Sequence, residues 1–392
     1  MYEDLKNSFK LQFNKEPQWI LSVPGRSELG GNHTDHQHGR VLACAIDLDS
    51  KAAVALNDEH IIHLQSEGFD LCEVKLPVGK PDEKEFGTTT ALIKGVVSYF
   101  QNKGVEVKGF DAYVKSDVLV GSGLSSSASF EVLVGLIINT INQCGISNEE
   151  IAIASQYAEN VYFGKPCGLM DQMACSIGNI ITIDFKDPSK PVTEAIDFDF
   201  STTGHCLCII DSGASHADLT DCYAGIPNEL KKVCAFFKKD VLRDVDECEF
   251  YANLKEVRKV VGDRGILRAM HVYEDNKRVV KMVEALKKND FNQFLELVTE
   301  SGNSSWLYLQ NVIPEGRIED QEVALAIAYA KHILNGKGAV RVHGGGFAGT
   351  IQAYVPLDMK DEFVKKMEEV LGEGSCHILS IRKDGGVVLE EC

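Results

Sequence analysis

The stretch 118–130, VLVGSGLSSSASF, constrains this chain most, because it sets two glycines and three consecutive serines between apolar segments. The run 110–114 before it is typical of a strand, and the run 128–141 after it has the length of a helix. Glycine lets a backbone pass close to an anion, and a helix start offers unpaired N–H groups. The stretch therefore predicts either a phosphate-binding loop at a helix N-terminus or a loop whose serines cap a buried helix. It is not a Walker A loop, because no Gly-Lys-Ser/Thr follows.

Composition narrows the possible partners. The chain has 392 residues, of which 44% are hydrophobic, so it can form one large domain or two. Its net charge is −18. That charge argues against a general nucleic-acid surface and against an anionic membrane. No apolar run reaches membrane-spanning length, and the first residues lack a hydrophobic signal core. The 12 cysteines lie mostly in apolar runs, as expected for buried thiols in a reducing compartment, so we expect a cytoplasmic protein.

Strand-like and helix-like segments alternate irregularly, which favours an α+β fold in two halves over a repeating βαβ fold. Short strands are expected around the polar segment 25–39 and within 51–76. The predicted helices are 3–14, 88–100, 128–141, 147–162, 226–239, 250–261, 275–288, 291–300, 317–335 and 361–371.

The segment 25–39 is a polar loop rich in glycine. It contains four residues of metal-ligand type, His33, Asp35, His36 and His38. One interpretation is a hydrolytic metal site, although the spacing matches no metal motif. The other is a loop that hydrogen-bonds a polyhydroxylated ligand. A merely solvated loop is the third, and the strand-like runs on either side weaken that interpretation.

Two further stretches carry candidate chemistry. Glu159 precedes the segment GKPCGLMDQMAC, which contains Asp171. Such an aspartate is most often a turn or cap residue, but it could also orient a hydroxyl, deprotonate it or ligate Mg²⁺. The stretch 343–350, HGGGFAGT, formally matches GxGxxG, but a strand-like run and not a helix follows it. We expect either a simple strand-connecting turn or a glycine turn that lets the backbone approach a ligand.

In this order and at these separations, the stretches resemble the motifs of the GHMP small-molecule kinases, and among those the galactokinases. VPGRSELGGNHTDHQHG is similar to the sugar signature GR-x-N-x-I-G-E-H-T-D-Y-x-x-G, and VGSGLSSSASFEV to the ATP-phosphate loop. AENVYFGKPCGLMDQ resembles the family's Asp segment, and VHGGGFAGTIQAYV its third, glycine-rich motif. His216, Leu219 and Tyr223 match the family spacing H-x-x-L-x-x-x-Y. The resemblance spans nearly the whole chain.

The resemblance implies a two-lobed α+β fold. Residues 1–200 would form an N-terminal GHMP kinase domain with a mixed sheet and helices, and 201–392 a C-terminal ferredoxin-like α/β sandwich. The implied activity is ATP-dependent phosphorylation of a sugar at its C1 hydroxyl, with galactose as the first candidate. N-acetylgalactosamine, arabinose or a uronic acid remain alternatives, as does a non-catalytic sugar and ATP sensor. No nucleic-acid or membrane partner is expected, and the chain would be a monomer or a weak homo-oligomer.

The resemblance also assigns roles to residues. Asp171 would accept or orient the proton of the C1 hydroxyl, and Arg26 would neutralise charge at the reacting group. The sugar would contact Asn32, His33, Asp35, Asp171 and Tyr223. Mg²⁺ would be ligated by Ser127 and Glu159. The ATP phosphates would be held by Gly121, Ser122, Gly123, Leu124, Ser125, Ser126 and Ser127, with Gly345 and Gly346 also near the ligand.

The departures from the family pattern cluster at the sugar end. The signature's N-x-I-G-E is replaced by ELGGN, so that the family glutamate is Asn32 and the family tyrosine is His36. Leu119 stands where the phosphate loop usually has proline, and Ser215 where a basic residue is usual. An amide both donates and accepts hydrogen bonds, whereas a carboxylate only accepts. We therefore expect phosphoryl transfer to be kept, while the choice of sugar stays open between galactose and the alternatives.

Overall fold

A computed structural model describes residues 2–119, 123–165, 167–215 and 218–392 of this chain. The chain folds into two compact units, the first made of 1–26, 44–179 and 382–392, and the second of 27–43 and 180–381. The predicted boundary at 200/201 lies inside the second unit. The units differ from that division because segment 27–43 belongs with the second half of the chain and the C-terminal strand with the first. The domain limits 1–200 and 201–392 stay a prediction.

The helices and strands have the following bounds. The helices are α1 (Glu3–Phe13), α2 (Thr89–Asn102), α3 (Ser126–Ile141), α4 (Asn148–Tyr157), α5 (Met170–Ile177), α6 (Thr220–Phe236), α7 (Glu247–Ala252), α8 (Leu254–Lys287), α9 (Phe291–Ser304), α10 (Glu322–Leu334) and α11 (Lys360–Leu371). The strands are β1 (Trp19–Gly30), β2 (Arg40–Leu56), β3 (Ile61–Ser66), β4 (Cys72–Lys75), β5 (Phe110–Ser116), β6 (Ile180–Asp184), β7 (Val192–Ile196), β8 (His205–Asp211), β9 (Ala339–Val342), β10 (Thr350–Pro356), β11 (Cys376–Leu379) and β12 (Val387–Glu391).

The first unit is built on a mixed sheet. Its strand order is β12-β1-β2-β5-β3-β4, with β2 antiparallel to β5 and β3 parallel to β5. Apolar side chains of this sheet pack against the apolar faces of α2, α3 and α4, in a core that includes Val54, Phe110, Val132 and Ile137. Burial of such side chains is the main force that holds the layers together. The core fixes α3 against the sheet and thereby fixes Ser125 at its start.

The second unit contains an antiparallel sheet of order β11-β8-β10-β9. Helices α10 and α11 cover it, with Ile327, Phe363 and Met367 packed against strand residues such as Val340 and Ile351. A separate apolar cluster joins α6 to α8 through Ile226, Leu230, Ala269 and Val272. The glycine turn lies between β9 and β10, so this sheet sets its position.

Most predicted elements are confirmed, and side chains cap the starts of two helices. The side chain of Thr88 accepts a hydrogen bond from the N–H of Ala91 at the start of α2, and Ser147 accepts one from Glu150 at the start of α4. The helices predicted at 250–261 and 275–288 are separate, because a non-helical backbone at Gly262 divides α8 into two helical parts. The first prediction covers the end of α7 and the part of α8 before Gly262, and the second lies in the part after it. Within the described ranges, no helix is long and apolar enough to cross a membrane. All 12 cysteines are free thiols.

Candidate active site

The serine run of the predicted phosphate loop begins α3 but does not cap it. Ser125 lies just before the helix with a left-handed backbone, and its side chain makes no cap hydrogen bond. The prediction of a serine cap is therefore wrong: the Ser125 hydroxyl donates to Asp171 Oδ2 instead. Ser125 thus leaves the N–H groups at this helix start uncapped by its own side chain, which suits an anion site. The predicted phosphate ligands Gly121 and Ser122 lie outside the described residues.

Strand β1 brings Arg26 to this loop. Arg26 Nε donates to Asp171 Oδ1 at 2.8 Å and Nη2 to Oδ2 at 2.6 Å, so the guanidinium holds the carboxylate through two parallel hydrogen bonds. Arg26 Nη1 also donates to the carbonyl of Gly123, and the Arg26 N–H donates to Leu124 O at 3.1 Å. The close approach of the two segments requires Gly25, since a Cβ there would lie 2.9 Å from Leu124 O.

The ionisation of Asp171 follows from these contacts. Burial by itself would raise its pKa, but the charge of Arg26 and the hydrogen bonds from Arg26 and Ser125 outweigh burial and hold the pKa below its ordinary value. Asp171 is therefore a carboxylate at neutral pH. A carboxylate of low pKa is a weak base and is better suited to orienting a hydroxyl than to removing its proton.

Gln172, the residue after Asp171, bridges two further acidic side chains, Glu131 and Glu159. Gln172 Nε2 donates to Glu159 Oε2 at 3.0 Å and to Glu131 Oε2 at 3.3 Å, so one amide bridges two buried carboxyl groups. Burial, followed by the charge of Glu159, raises the pKa of Glu131 well above its ordinary value. Glu159 Oε1 also lies 3.4 Å from Lys165 Nζ. Sequence reasoning missed Glu131, whose only signal is a carboxylate inside the apolar run of α3.

An open cavity of about 650 Å³ extends from the start of α3 over the first unit. The hydroxyl-bearing Ser126 and Ser127 line one part of it. The segment 51–76 contributes part of the apolar wall. That wall includes Leu64, Phe69, Cys72, Leu92, Val114 and Phe130. A cavity with an apolar wall and several hydroxyls can accommodate a small ligand that has both apolar and polar parts.

In the second unit, Asn32 is 1% exposed and its side chain is engaged inside the protein. Its Nδ2 donates to Gly344 O at 2.7 Å and to Glu28 Oε1 at 3.2 Å. Its Oδ1 accepts from Asn311 Nδ2 at 2.8 Å and from Ser305 Oγ at 3.4 Å. A carboxylate at position 32 could not make the bond to Gly344 O, because it has no hydrogen to donate.

The glycine turn is held by its carbonyl groups. Gly344 O accepts from Asn32, as described above. Gly345 O accepts from His33 Nε2 at 3.0 Å and from Asn311 Nδ2 at 3.1 Å. Gly346 O accepts from the Tyr223 hydroxyl at 2.8 Å. Side chains thus fix three successive carbonyls. Three of these side chains, Asn32, His33 and Tyr223, were predicted to bind the sugar, whereas Asn311 was not predicted from the sequence.

Glycine is required in this turn by a close contact. Gly346 has φ of +79°, and a Cβ there would lie 2.1 Å from the carbonyl oxygen of Asn311. Burial raises the pKa of the neighbouring Tyr223 to about 12, so its phenol is neutral and can donate to Gly346 O. The predicted partner position His216 lies outside the described residues.

A buried ion pair lies beneath the polar loop. Arg341 in β9 donates through Nη2 to Glu28 Oε1, and both side chains are almost completely buried. Gln352 Nε2 donates to the Glu28 carbonyl at 2.9 Å and to Ser27 Oγ at 2.8 Å. Arg341 Nη1 has no hydrogen-bond partner within the part of the chain that is described. The carboxylate at position 28 is therefore neutralised by Arg341.

Asp35 differs from its neighbours in the loop. It is half-buried, and its carboxylate makes no hydrogen bond or ion pair to another residue in the described ranges. No group of three or more His, Cys, Asp or Glu side chains within those ranges could hold a metal ion. The geometry of this loop therefore gives no support to a metal site there and leaves a free hydrogen-bond acceptor at Asp35.

Two family models match the chain. The GHMP kinases N terminal domain matches residues 91–179, and the galactokinase galactose-binding signature matches residues 7–56. The first match includes the serine run, Glu159 and Asp171, and the second includes Arg26 and the polar loop.

Curated relatives and solved structures extend the likeness to most of the chain. The galactokinase of Mannheimia succiniciproducens is 30% identical over 92% of this chain and 91% of its own length. The galactokinase of Streptomyces coelicolor is 31% identical over 92% of this chain and 90% of its own. The crystal structure of Lactococcus lactis galactokinase complexed with galactose has a TM-score of 0.83, 25% identity and 99% coverage of both chains. A mevalonate kinase structure with 18% identity and a TM-score of 0.64 shares the fold.

Proposed function

This chain belongs to the galactokinase family of the GHMP kinases and is a sugar kinase, and we propose that it transfers the terminal phosphoryl group of ATP to the C1 hydroxyl of galactose. The observation that carries the proposal is the paired Arg26 and Asp171, with Ser125 donating to the same carboxylate. Phosphoryl transfer asks the protein mainly to position groups and to offset charge. A fixed guanidinium and an ionised carboxylate beside a helix start are suited to both tasks.

We assign Asp171 to the sugar hydroxyl. Its pKa lies below the ordinary value, so it accepts a hydrogen bond from the hydroxyl and orients the oxygen towards the phosphoryl group. Arg26 keeps Asp171 ionised and offsets negative charge that develops during transfer. Arg26 is itself fixed by Gly123 and Leu124 of the predicted phosphate loop, so the two functions are structurally linked.

We propose that ATP occupies the cavity of the first unit, with its phosphates at residues 121–127. The apolar wall of that cavity suits a purine, and the serine hydroxyls suit phosphate oxygens. The residues also fit Mg²⁺, since Ser127 and Glu159 offer hydroxyl and carboxylate oxygens, the ligands this ion prefers. Bound Mg²⁺ would neutralise charge on the phosphate oxygens. Gln172 keeps Glu159 in place through its amide.

We place the sugar against the polar loop and the glycine turn. The Asp35 carboxylate, which bonds to none of the described side chains, supports a role in accepting hydrogen bonds from sugar hydroxyls. Unlike Asp35, the predicted sugar contacts Asn32, His33 and Tyr223 already donate a hydrogen bond to a glycine carbonyl. We further propose a cytoplasmic monomer or weak homo-oligomer, to which the free thiols lend support.

The test is a measurement of ADP release at neutral pH with ATP, Mg²⁺ and one sugar at a time: galactose, N-acetylgalactosamine, arabinose or galacturonate. We expect turnover with galactose. Turnover with another of these sugars alone would keep the kinase and replace its substrate. If no sugar gives ADP but galactose raises the melting temperature, the chain is a sensor and the proposal is wrong. Asp187→Asn, which changes an aspartate in an exposed turn, provides the matched control for preparation quality.

A further inference from the structure

The polar loop contains a continuous chain of hydrogen bonds that ends at the glycine turn. The N–H of Leu242 donates to Gln37 Oε1 at 3.0 Å. Gln37 Nε2 lies 3.2 Å from His36 Nδ1, and His36 Nε2 lies 3.2 Å from His33 Nδ1. His33 Nε2 lies 3.0 Å from the carbonyl oxygen of Gly345. Neither the kinase activity nor the phosphate site accounts for this series of hydrogen bonds.

Both ends of this series of hydrogen bonds require the same direction of donation, from Leu242 towards Gly345. A backbone N–H can only donate, so Gln37 must accept through its oxygen and donate through its nitrogen. The His36 Nδ1 atom then accepts, which puts the hydrogen of a neutral imidazole on Nε2. By the same step His33 accepts at Nδ1 and donates from Nε2, and the Gly345 carbonyl can only accept. Every group in the chain is satisfied when both imidazoles are neutral.

The surroundings support this state. Burial lowers the pKa of His36 to about 4, against the opposing charge of Asp35, so the imidazole is neutral at physiological pH. Cys234 Sγ also lies 3.8 Å from Gln37 Oε1 and adds a weak donor at the same oxygen. Gln37 is 5% exposed, so its amide cannot readily turn to water.

We propose that His36 and Gln37 are positioning residues that fix His33 in its Nε2–H tautomer, so that His33 holds the Gly345 carbonyl and the glycine turn in the form that receives the sugar. The role for the sugar rests on the function proposed above. The resembled signature has tyrosine where this chain has His36, and a tyrosine hydroxyl also accepts one hydrogen bond and donates another. Both residue types can therefore accept one hydrogen bond and donate another, as this position requires.

The test compares His36→Gln with His36→Leu. A glutamine amide can accept from Gln37 and donate to His33, whereas leucine has similar bulk and can do neither. We expect His36→Leu to raise the KM for the sugar about tenfold, as for the loss of a buried hydrogen bond, with kcat and the KM for ATP nearly unchanged. We expect His36→Gln to stay close to the wild-type KM. Equal KM values for the two variants would overturn the proposal.

A second measurement does not depend on turnover. Histidine-selective nitrogen NMR of the wild-type protein, assigned with His33→Gln, reports which ring nitrogen of His33 carries the hydrogen. We expect the hydrogen on Nε2 in the wild-type protein and a mixture of tautomers in His36→Leu. A hydrogen on Nδ1 of His33 in the wild-type protein would contradict the proposal. Absence of turnover in the wild-type protein would instead contradict the kinase function, so the two failures are distinguishable.

Discussion

The Arg26–Asp171 cluster of the first unit and the Asn32–His33 cluster of the second both fix a glycine-containing segment, but by different means. The first uses full charges, with a guanidinium that binds a carboxylate through two hydrogen bonds and reaches Gly123 O with its third nitrogen. The second uses neutral donors, an amide and an imidazole, on the carbonyls of Gly344 and Gly345. In the first cluster the sequence follows the family motif, and in the second it departs from it.

The difference teaches which changes each cluster can accept. A charge pair sets the ionisation of its members, so the first cluster should fail when a charge is removed even if the shape is kept. A neutral network depends on matching each donor with an acceptor. It should therefore accept a different side chain, as at positions 32 and 36, provided that the number and direction of its hydrogen bonds are preserved.

Asp171→Asn gives the largest expected effect, because it keeps the shape of the charged cluster and removes its charge. The amide cannot hold the sugar hydroxyl as a carboxylate does, and it leaves Arg26 without its counter-charge. We expect kcat to fall on the order of 10²- to 10⁴-fold, with a smaller change in the KM for ATP. Steady-state kinetics with the sugar that gives turnover measures both.

The pH dependence of stability provides a check on the same residue. Because the pKa of Asp171 is lowered in the folded protein, its ionised form stabilises the fold above the ordinary aspartate pKa of about 3.9. This stabilisation is lost as the pH falls from that value through the folded pKa. The stability difference between wild type and Asp171→Asn should thus be constant near neutral pH and shrink only in acid. A difference that disappears near pH 6 would contradict a low pKa for Asp171.

The Glu28–Asn32 pair tests the second cluster by exchange of its carboxylate and its amide. Glu28→Asn leaves Arg341 buried without its carboxylate, and we expect a loss of about 3–5 kcal/mol in the free energy of unfolding. Asn32→Glu sets a carboxylate against Gly344 O and the Glu28 carboxylate and should also destabilise the fold. Urea unfolding measures both variants.

The double variant E28N/N32E restores the order found in the resembled signature. It keeps one carboxylate and one amide at two positions that bond to each other, so its loss should be smaller than the sum of the single losses by about 0.5–3 kcal/mol. Simple additivity would show that the two positions are not coupled. An unchanged sugar preference in folded Asn32→Glu would contradict the prediction that this departure alters the choice of sugar.

The sequence predicts local features and motifs better than contacts between distant segments. The bounds of α2 and α4 follow from apolar periodicity and from the capping residues Thr88 and Ser147, which act within three residues of themselves. The roles of Arg26 and Asp171 follow from two motifs. Their pairing joins residues 145 positions apart, and only the family resemblance suggested that they act together.

The remainder of the candidate site could not be derived from sequence because its partners have no local pattern. Asn311 meets Asn32 across 279 positions, and nothing near Asn311 marks it as functional. Glu131 looks like an ordinary member of a helix until Gln172 is found between it and Glu159. The serine run predicted caps by local rule, whereas Ser125 bonds a carboxylate 46 positions away. In each case a tertiary contact outweighs the local preference.

The smallest expected effect concerns the apolar wall of the cavity in the first unit. Phe69 lines this cavity and is 70% exposed, so its ring offers stacking area to a purine at the cost of little packing. We expect Phe69→Ala to raise the KM for ATP by about two- to tenfold, with kcat and the KM for the sugar unchanged. Leu11→Ala removes an even more exposed side chain, from α1, and should change none of these values. If Phe69→Ala raised the KM for the sugar and not that for ATP, the cavity would not be the adenine site, and the assignment of nucleotide to the first unit would be wrong.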